Sequence, residues 1–208
     1  MPRLMDMGLE RLNSLLLDMA TLSQQAVSAS IDAYSRGGRA TDVKQMSEKL
    51  RSLHRQVSDL SIEMIARYQP VATDLRFLKA CMEISYGFFR HGRYALDITE
   101  VLDMFGDLEK CDRKYVVDTA KRAQEMLRMS AEAFARRDVE MARKIPLMDN
   151  GVDDSYRENL RRTLKEKGNF KCLLSATLIL RYVERIADHA TYIAESVEYI
   201  ATGIEPVG

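Results

Sequence analysis

Apolar residues recur at steps of three and four along most of the chain, which is the spacing of one face of an α-helix. Glycine, proline and helix-capping residues interrupt this pattern at only a few places. The interruptions predict six long helices, which run from about Met5 to Gly37, Asp42 to Tyr68, Thr73 to Phe105, Asp112 to Arg137, Asp138 to Lys167 and Asn169 to Thr202.

The sixth predicted helix contains the clearest apolar stripe. Its apolar positions alternate steps of four and three, at Ile186, Ala190, Ile193, Val197 and Ile200. This stripe is typical of a helix face that packs into a core. Glu184 and Asp188 lie about 200° around the helix from that stripe. We therefore expect both acids on the surface, facing away from the core.

The fifth predicted helix is the least regular. Pro146 removes one backbone donor and favours a kink, and Asn150-Gly151 is a pair that is common in turns. Asp149 therefore falls either on a continuous helix or in a break between two shorter ones.

The chain contains an internal repeat. A shift of 95 positions superposes Phe89–Ala95 on Glu184–Ala190 and Asp74-Leu75-Arg76 on Asn169-Phe170-Lys171. Self-similarity at a fixed offset indicates a duplicated structural unit. The sequence thus predicts two three-helix repeats, residues 1–107 and 108–208, which form two bundles and need not be independent domains.

Composition supports an all-α fold and limits the functions. The 208 residues are 46% hydrophobic and 30% charged, with 12 methionines, four prolines and no tryptophan. Helix-forming residues dominate, and runs of β-branched residues are few. Lys plus Arg equals Asp plus Glu at 31 each, so no net positive field favours nucleic acid as a partner.

The cysteines and the N-terminus favour a cytoplasmic protein. Cys81, Cys111 and Cys172 show no C-x-x-C spacing, and each stands singly among helical residues, so we expect reduced thiols. The sequence has no apolar run of roughly 20 residues and no hydrophobic leader at its start. Direct membrane insertion is not expected, and any membrane association would come through a partner.

Four acids form the candidate metal site: Asp149, Asp153, Glu184 and Asp188. Each pair is spaced i, i+4 on one helix face, and the two pairs lie almost equally far from the turn at Gly168. If the fifth and sixth helices form a hairpin, the four carboxylates could converge into a site for a hard or di-metal cation. The alternative is that these acids form surface ion pairs with arginines, namely Arg157, Arg181 and Arg185.

The order of these motifs resembles the PhoU family over nearly the whole chain. The resemblance rests on Asp-Leu-Arg at Asp74–Arg76, Asp-x-x-Val-Asp-x-x-Tyr at Asp149–Tyr156, Glu-Arg-Ile-Ala-Asp-His at Glu184–His189, and the duplicated six-helix plan. It implies paired three-helix bundles that regulate phosphate uptake and the phosphate-starvation response. Implied partners are phosphate ABC transporter subunits and, in bacteria, a sensor kinase. Members are often dimeric, and some hold iron or other metals through Glu/Asp-x-x-x-Asp motifs.

The first repeat departs from that metal pattern. The shift of 95 places His54, Ser58, Phe89 and Arg93 at the positions of the four acids, so no carboxylate remains there. Arg93 would repel a cation and Phe89 offers no ligand, so we expect at most one metal site per chain, in the second repeat. Tyr192 stands where the family usually has asparagine, which is a second departure from the family-type cluster and leaves Glu184 and Asp188 in place.

Enzymatic function is not expected. The sequence has no phosphate-binding G-x-x-x-x-G-K-[ST] loop, no G-x-S-x-G turn and no Glu-x-x-His of the kind that di-iron bundles use. His54, His91 and His189 are each interpreted as surface or core-rim residues rather than ligands. Besides a phosphate regulator, the sequence leaves open a helical scaffold for another transporter or regulator, and less favourably a carboxylate-bridged metal enzyme.

Overall fold

A computed structural model describes residues 4–165 and 168–204, and within them the chain forms helices and no strands. Six helices are long and one is a single turn: α1 (Leu4–Arg36), α2 (Val43–Tyr68), α3 (Ala72–Phe105), α4 (Lys114–Arg136), α5 (Val139–Ala142), α6 (Ile145–Lys165) and α7 (Phe170–Thr202). None of these helices combines the length and the apolar character needed to cross a membrane.

The long helices form two three-helix bundles that share one core. Helices α1, α2 and α3 pack on one another, and α4, α6 and α7 form the second bundle with α5 beside it. The two bundles meet where α3 packs against α7 and α1 against α4. The predicted stripe of α7 lies in this core, because Ile186, Ala190 and Ile193 are each at most 1% exposed. The all-helical, duplicated fold is thus confirmed.

The contacts between α3 and α7 reproduce the offset of the sequence repeat. His91 Nε2 donates to the Ile186 carbonyl at 3.0 Å, and the Tyr94 hydroxyl lies 3.3 Å from His189 Nε2. In both pairs the partners are 95 residues apart, so positions that the repeat superposes touch each other. Such contacts arise where two related helices cross at an axis of approximate two-fold symmetry.

This crossing corrects the interpretation of His91 as a surface or rim residue. Its side chain is fully buried, with 0% exposure, and its Nδ1 has no hydrogen-bond partner in the described part of the chain. Burial and the neighbouring His189 lower the pKa of His91 to about 3, so the ring is neutral. Position 91 belongs to the duplicate of the α7 stripe, which explains its burial.

Gly87 allows the close approach of α3 and α7 at the same crossing. A Cβ atom at this position would lie 2.7 Å from Ile193 Cγ1 and 2.9 Å from Ile193 Cδ1. Carbon atoms in van der Waals contact lie about 3.5–4.0 Å apart, so a side chain here would push the helices apart. Because Gly87 has no Cβ, α3 and α7 can pack closely here, and the two bundles are in close contact.

The irregular fifth predicted helix is two helices rather than one. Asp138 caps α5 through a hydrogen bond from the Met141 amide, and α5 ends at Ala142. Helix α6 then begins at Ile145 and continues through Asn150-Gly151 without a break. Pro146 lies in the first turn of α6, where a backbone donor has no intrahelical partner to lose. Asp149 therefore lies on a continuous helix.

The expectation that all cysteines are reduced thiols is wrong for two of them. Cys111, in the α3–α4 connection, forms a disulfide with Cys172 in the first turn of α7. Cys81 is a free, buried thiol. The two bonded cysteines are 61 residues apart, and the antiparallel packing of α3 and α7 brings them together. Local spacing could not reveal this pairing, because it depends on the packing of distant helices.

Candidate metal centre on helices α6 and α7

Packing of α6 along α7 brings three of the four candidate acids together. One carboxylate oxygen from each of Asp149, Asp153 and Asp188 lies within 4.8 Å of the others, and all three residues are half-buried. The i, i+4 spacing of Asp149 and Asp153 puts both on the face of α6 that meets α7. This group is a small oxygen-rich cluster at the edge of the helix interface.

Glu184 does not belong to this group, and its predicted exposure is wrong. The residue is 6% exposed, and its carboxylate accepts hydrogen bonds of 2.7–2.8 Å from Arg181 and Arg185. The prediction assumed that α7 has one buried face. In the structure α3, α4 and α6 all pack on α7, so the face opposite the apolar stripe is covered as well.

The predicted ion pairs with arginines also form. Arg185 Nη2 lies 2.8 Å from Asp188 Oδ2, and Arg157 Nη2 donates to Asp153 Oδ2 at 2.8 Å. Asp149 differs from the other acids because its Oδ1 is buried and has no hydrogen-bond partner in the described part of the chain. The two interpretations of the acids therefore both hold in part, since ion pairs and a convergent carboxylate cluster coexist.

The electrostatics of the cluster favour a cation at Asp149. Burial, followed by the charges of Asp188, Asp153 and Glu184, raises the pKa of Asp149 to about 6. Burial and Glu184 also raise the pKa of Asp188, against the opposing effect of Arg185. Carboxylates that repel one another in a half-buried site are stabilised by a proton or a metal ion.

The residues present fit one cation and not a larger cluster. Three convergent carboxylates supply the oxygen ligands that hard cations take, and the unpartnered oxygen of Asp149 is free to coordinate. Glu184 is already bound by two guanidinium groups, so it would have to leave them to become a ligand.

A cleft of about 350 Å³ between α3 and α7 adjoins the acids. Its walls include three tyrosines, Tyr86, Tyr192 and Tyr199, and His189. Tyr192 connects the cleft with the acids, since burial and then the charge of Asp188 raise its pKa. Sequence reasoning missed this cleft because the tyrosines come from two helices. The only signal in the sequence was the i, i+7 spacing of Tyr192 and Tyr199 on one face of α7.

Comparison with known proteins identifies the family. The sequence pattern of the PhoU domain matches residues 16–102 and again residues 116–197, one match in each half. The chain belongs to the PhoU family. The two matches cover the helices of both bundles, so the family plan accounts for most of the chain.

Relatives and solved structures agree with this assignment. The chain is 30% identical to a phosphate-specific transport system accessory protein PhoU homologue of Synechocystis, over 95% of this chain and 91% of the relative. It is also 30% identical to the PhoU homologue of Pseudomonas aeruginosa, over 95% and 85% of the two chains. The crystal structure of PhoU from P. aeruginosa matches with a TM-score of 0.87 and 26% identity, covering 96% of this chain and 99% of that one.

Proposed function

We propose that this PhoU family protein regulates phosphate uptake and phosphate-responsive signalling by contact with a phosphate ABC transporter and associated signalling proteins, and that it has no enzymatic activity of its own. The observation that carries the proposal is the match of the PhoU domain to both halves, together with relatives named as phosphate-specific transport system accessory proteins. The proposal includes a sensor kinase as a further binding partner. It is also compatible with a homodimer of this protein.

The architecture supports a role in protein contact. Helices α1, α3 and α7 are 33 or 34 residues long, so they present surfaces of roughly 50 Å at a rise of 1.5 Å per residue. Large apolar side chains such as Leu4, Val71 and Phe170 are more than 70% exposed at the ends of these helices. Long rigid faces with exposed apolar residues suit binding to other proteins.

A deletion strain tests the regulatory role. Accumulation of radiolabelled phosphate and expression of phosphate-responsive genes should both change under phosphate-rich conditions, and a plasmid copy of the protein should restore them. Affinity purification from native membranes, at high and low phosphate, should recover transporter subunits. If uptake and expression matched the parent strain, the proposal would fail. Recovery of an unrelated set of partners would instead favour a scaffold for another system.

The same proposal includes one metal site per chain, for iron or another transition or divalent cation. Asp149, Asp153 and Asp188 would hold the ion, with Glu184 as the fourth acid close to them. The unpartnered, buried oxygen of Asp149 supports this assignment more than any other feature of the cluster. A bound cation would remove the repulsion that raises the pKa of Asp149 and would stabilise the packing of α6 on α7.

Elemental analysis and thermal unfolding test the metal site. After exposure to iron, manganese, zinc, nickel or magnesium, the protein should retain about one equivalent and show a higher melting temperature. Asp149→Asn combined with Asp188→Asn should abolish both effects. Asp154→Asn is the matched control, because its side chain is 78% exposed and lies outside the cluster on the same helix. If the double variant retained metal, or if the parent bound none, the metal site would be rejected. The acids would then serve only in ion pairs with arginines.

A further inference from the structure

The cleft between α3 and α7 has two facing carboxylates. The two helices run antiparallel, with Lys79 Nζ 4.7 Å from the centre of the Tyr199 ring and the Tyr86 and His189 rings 5.7 Å apart. Between these two contacts the register places Glu83 on α3 opposite Glu195 on α7, and both line the cleft. Neither carboxylate has a hydrogen bond or an ion pair with the residues that the structure describes. Lys79 lines the same cleft, so its walls carry two carboxylates and one ammonium group, and this excess of negative charge favours a positively charged ligand.

Tyrosine rings flank these two acids. Tyr86 and Tyr192 are 43% and 53% exposed and lie near His189 at one end, and Tyr199 lies at the other end. Exposed aromatic faces attract cations, and a guanidinium group also stacks flat on them. Such rings are enriched where proteins bind one another. The walls of the cleft therefore favour a cation with a planar or extended apolar part.

His189 adds an unpartnered donor to the cleft. The Tyr94 hydroxyl accepts from Arg90 Nε at 3.2 Å and from Arg90 Nη2 at 2.7 Å, which uses both of its lone pairs. Its proton must then be donated to His189 Nε2, 3.3 Å away. A ring nitrogen that accepts a hydrogen bond carries no proton, so the proton of His189 is on Nδ1.

This Nδ1–H group has no acceptor. The His189 side chain is 9% exposed, and its Nδ1 is buried without a hydrogen-bond partner in the described part of the chain. A buried donor without an acceptor destabilises a protein, so a ligand whose carbonyl oxygen reaches this group would recover the loss. A bare metal ion or a simple ammonium ion offers no such oxygen. A peptide offers both a cationic side chain and carbonyl groups.

We propose that this cleft is a docking site for an arginine-bearing segment of a partner protein, with the guanidinium group between Glu83 and Glu195 and a backbone carbonyl accepting from His189 Nδ1. The proposal rests on the proposed function, because it names the chemistry of the protein partner. Arginine fits better than lysine because its planar group stacks on tyrosine and forms two-pronged hydrogen bonds with carboxylates.

Nuclear magnetic resonance titration of the purified protein tests this site with a defined probe, N-acetyl-arginine N-methylamide. It should give saturable shifts of the Tyr86, Tyr192 and His189 ring signals. The citrulline analogue has nearly the same shape and no charge, so it should bind at least about tenfold more weakly, a difference of about 1.4 kcal/mol. The Glu83→Gln, Glu195→Gln double variant should weaken binding of the arginine probe by a similar factor.

The matched control is Glu10→Gln with Glu48→Gln, which makes the same change in net charge at two exposed acids on α1 and α2. It should bind the arginine probe as the parent does. Equal binding of the arginine and citrulline probes, or no loss in the Glu83 and Glu195 variant, would overturn the docking site. Tetramethylammonium binding as tightly as the arginine probe would indicate a site for small cations instead. Because the titration needs no transporter, its failure would leave phosphate regulation standing, and failure of the uptake test would leave probe binding unaffected.

Discussion

The two bundles place different chemistry at equivalent positions. In the second bundle the repeat positions hold Asp149, Asp153, Glu184 and Asp188, and in the first they hold His54, Ser58, Phe89 and Arg93. The His54 ring stacks on the Phe89 ring with centres 5.6 Å apart and an interplanar angle of 5°. Arg93 pairs with Asp97 and with Glu100 on its own helix. Equivalent positions therefore meet in the first bundle through an aromatic stack instead of a carboxylate cluster.

This difference shows that helix packing determines which positions meet, whereas the side chains determine which ligand can bind there. The helix packing brings the positions together in both halves, so convergence is a property of the repeat. Only the second half has acids there, and a cation can therefore be expected only there. In the first half the guanidinium of Arg51 lies 5.8 Å from the centre of the Phe89 ring, which adds positive charge where the second half has negative charge.

The largest expected effect concerns the disulfide, which the first half lacks. Position 77 is the repeat equivalent of Cys172, and there Phe77 is buried and contacts the Arg137 guanidinium at 5.2 Å from its ring centre. Cys111→Ser with Cys172→Ser should lower the free energy of unfolding by about 2–4 kcal/mol, because the bond closes a long loop in the unfolded chain. Chemical denaturation measures this loss, and hydrogen exchange should show it in the amides that exchange only through global unfolding.

Two controls accompany the disulfide prediction. Dithiothreitol should destabilise the parent by a similar amount and leave the double serine variant unchanged. Thiol titration of the denatured, unreduced parent should find only Cys81 reactive, because it is the free cysteine. Three reactive thiols, or a serine variant as stable as the parent, would contradict the pairing.

An intermediate effect is expected at Glu184 and its equivalent Phe89. Glu184→Ala removes a buried carboxylate that accepts four hydrogen bonds from Arg181 and Arg185. It should lower the free energy of unfolding by about 1–3 kcal/mol, since the arginines lose their shared partner but remain partly hydrated. Phe89→Ala should cost about 1 kcal/mol, because this half-buried ring loses packing against His54, Tyr86 and Arg51 but no buried charge. Urea denaturation of both variants gives the comparison.

Measuring the bound metal in the Glu184→Ala and Phe89→Ala variants tests whether Glu184 is a ligand. If Asp149, Asp153 and Asp188 suffice as ligands, Glu184→Ala should retain the cation that Asp149→Asn with Asp188→Asn loses. If the single variant Glu184→Ala lost the metal, Glu184 would have to be counted as a ligand. Phe89→Ala should leave the metal content unchanged, since its ring lies in the other bundle.

Much of the fold could be predicted because it follows from local rules. The apolar stripe of α7, the cap at Asp138, the start of a helix at Asn169 and the 95-residue offset are all visible in the sequence, and the structure confirms them. The presence of Asp149, Asp153 and Asp188 in one cluster also followed from their spacing around the turn at Gly168. These features depend on one helix or on one hairpin.

The features that were missed depend on which helices become neighbours. Three long helices pack on α7 and cover more than one of its faces, so the burial of Glu184 could not be derived from the periodicity of α7 alone. The disulfide needs two chain segments that only the packing of α3 on α7 brings together. The ring nitrogen of His189 that carries the proton could not be predicted either, because it follows from the contacts of Arg90 and Tyr94.

The smallest expected effect is the pH dependence of the carboxylate cluster, which the first half does not share. The folded-state pKa of Asp149, about 6, lies above the ordinary value of 3.8, so the folded protein binds this proton more tightly than the unfolded chain does. The resulting contribution to stability is fully present below pH 3.8 and is lost as the pH rises through about 6. In metal-free protein, Asp149→Asn should therefore gain stability over the parent near pH 7.5, by a few tenths to about 1 kcal/mol after allowance for partial hydration, and show little gain near pH 3.5. Urea denaturation at the two pH values in the presence of a chelator measures this difference, and Asp154→Asn serves as the exposed control. A gain that is the same at both pH values would indicate that repulsion among the acids is not its source.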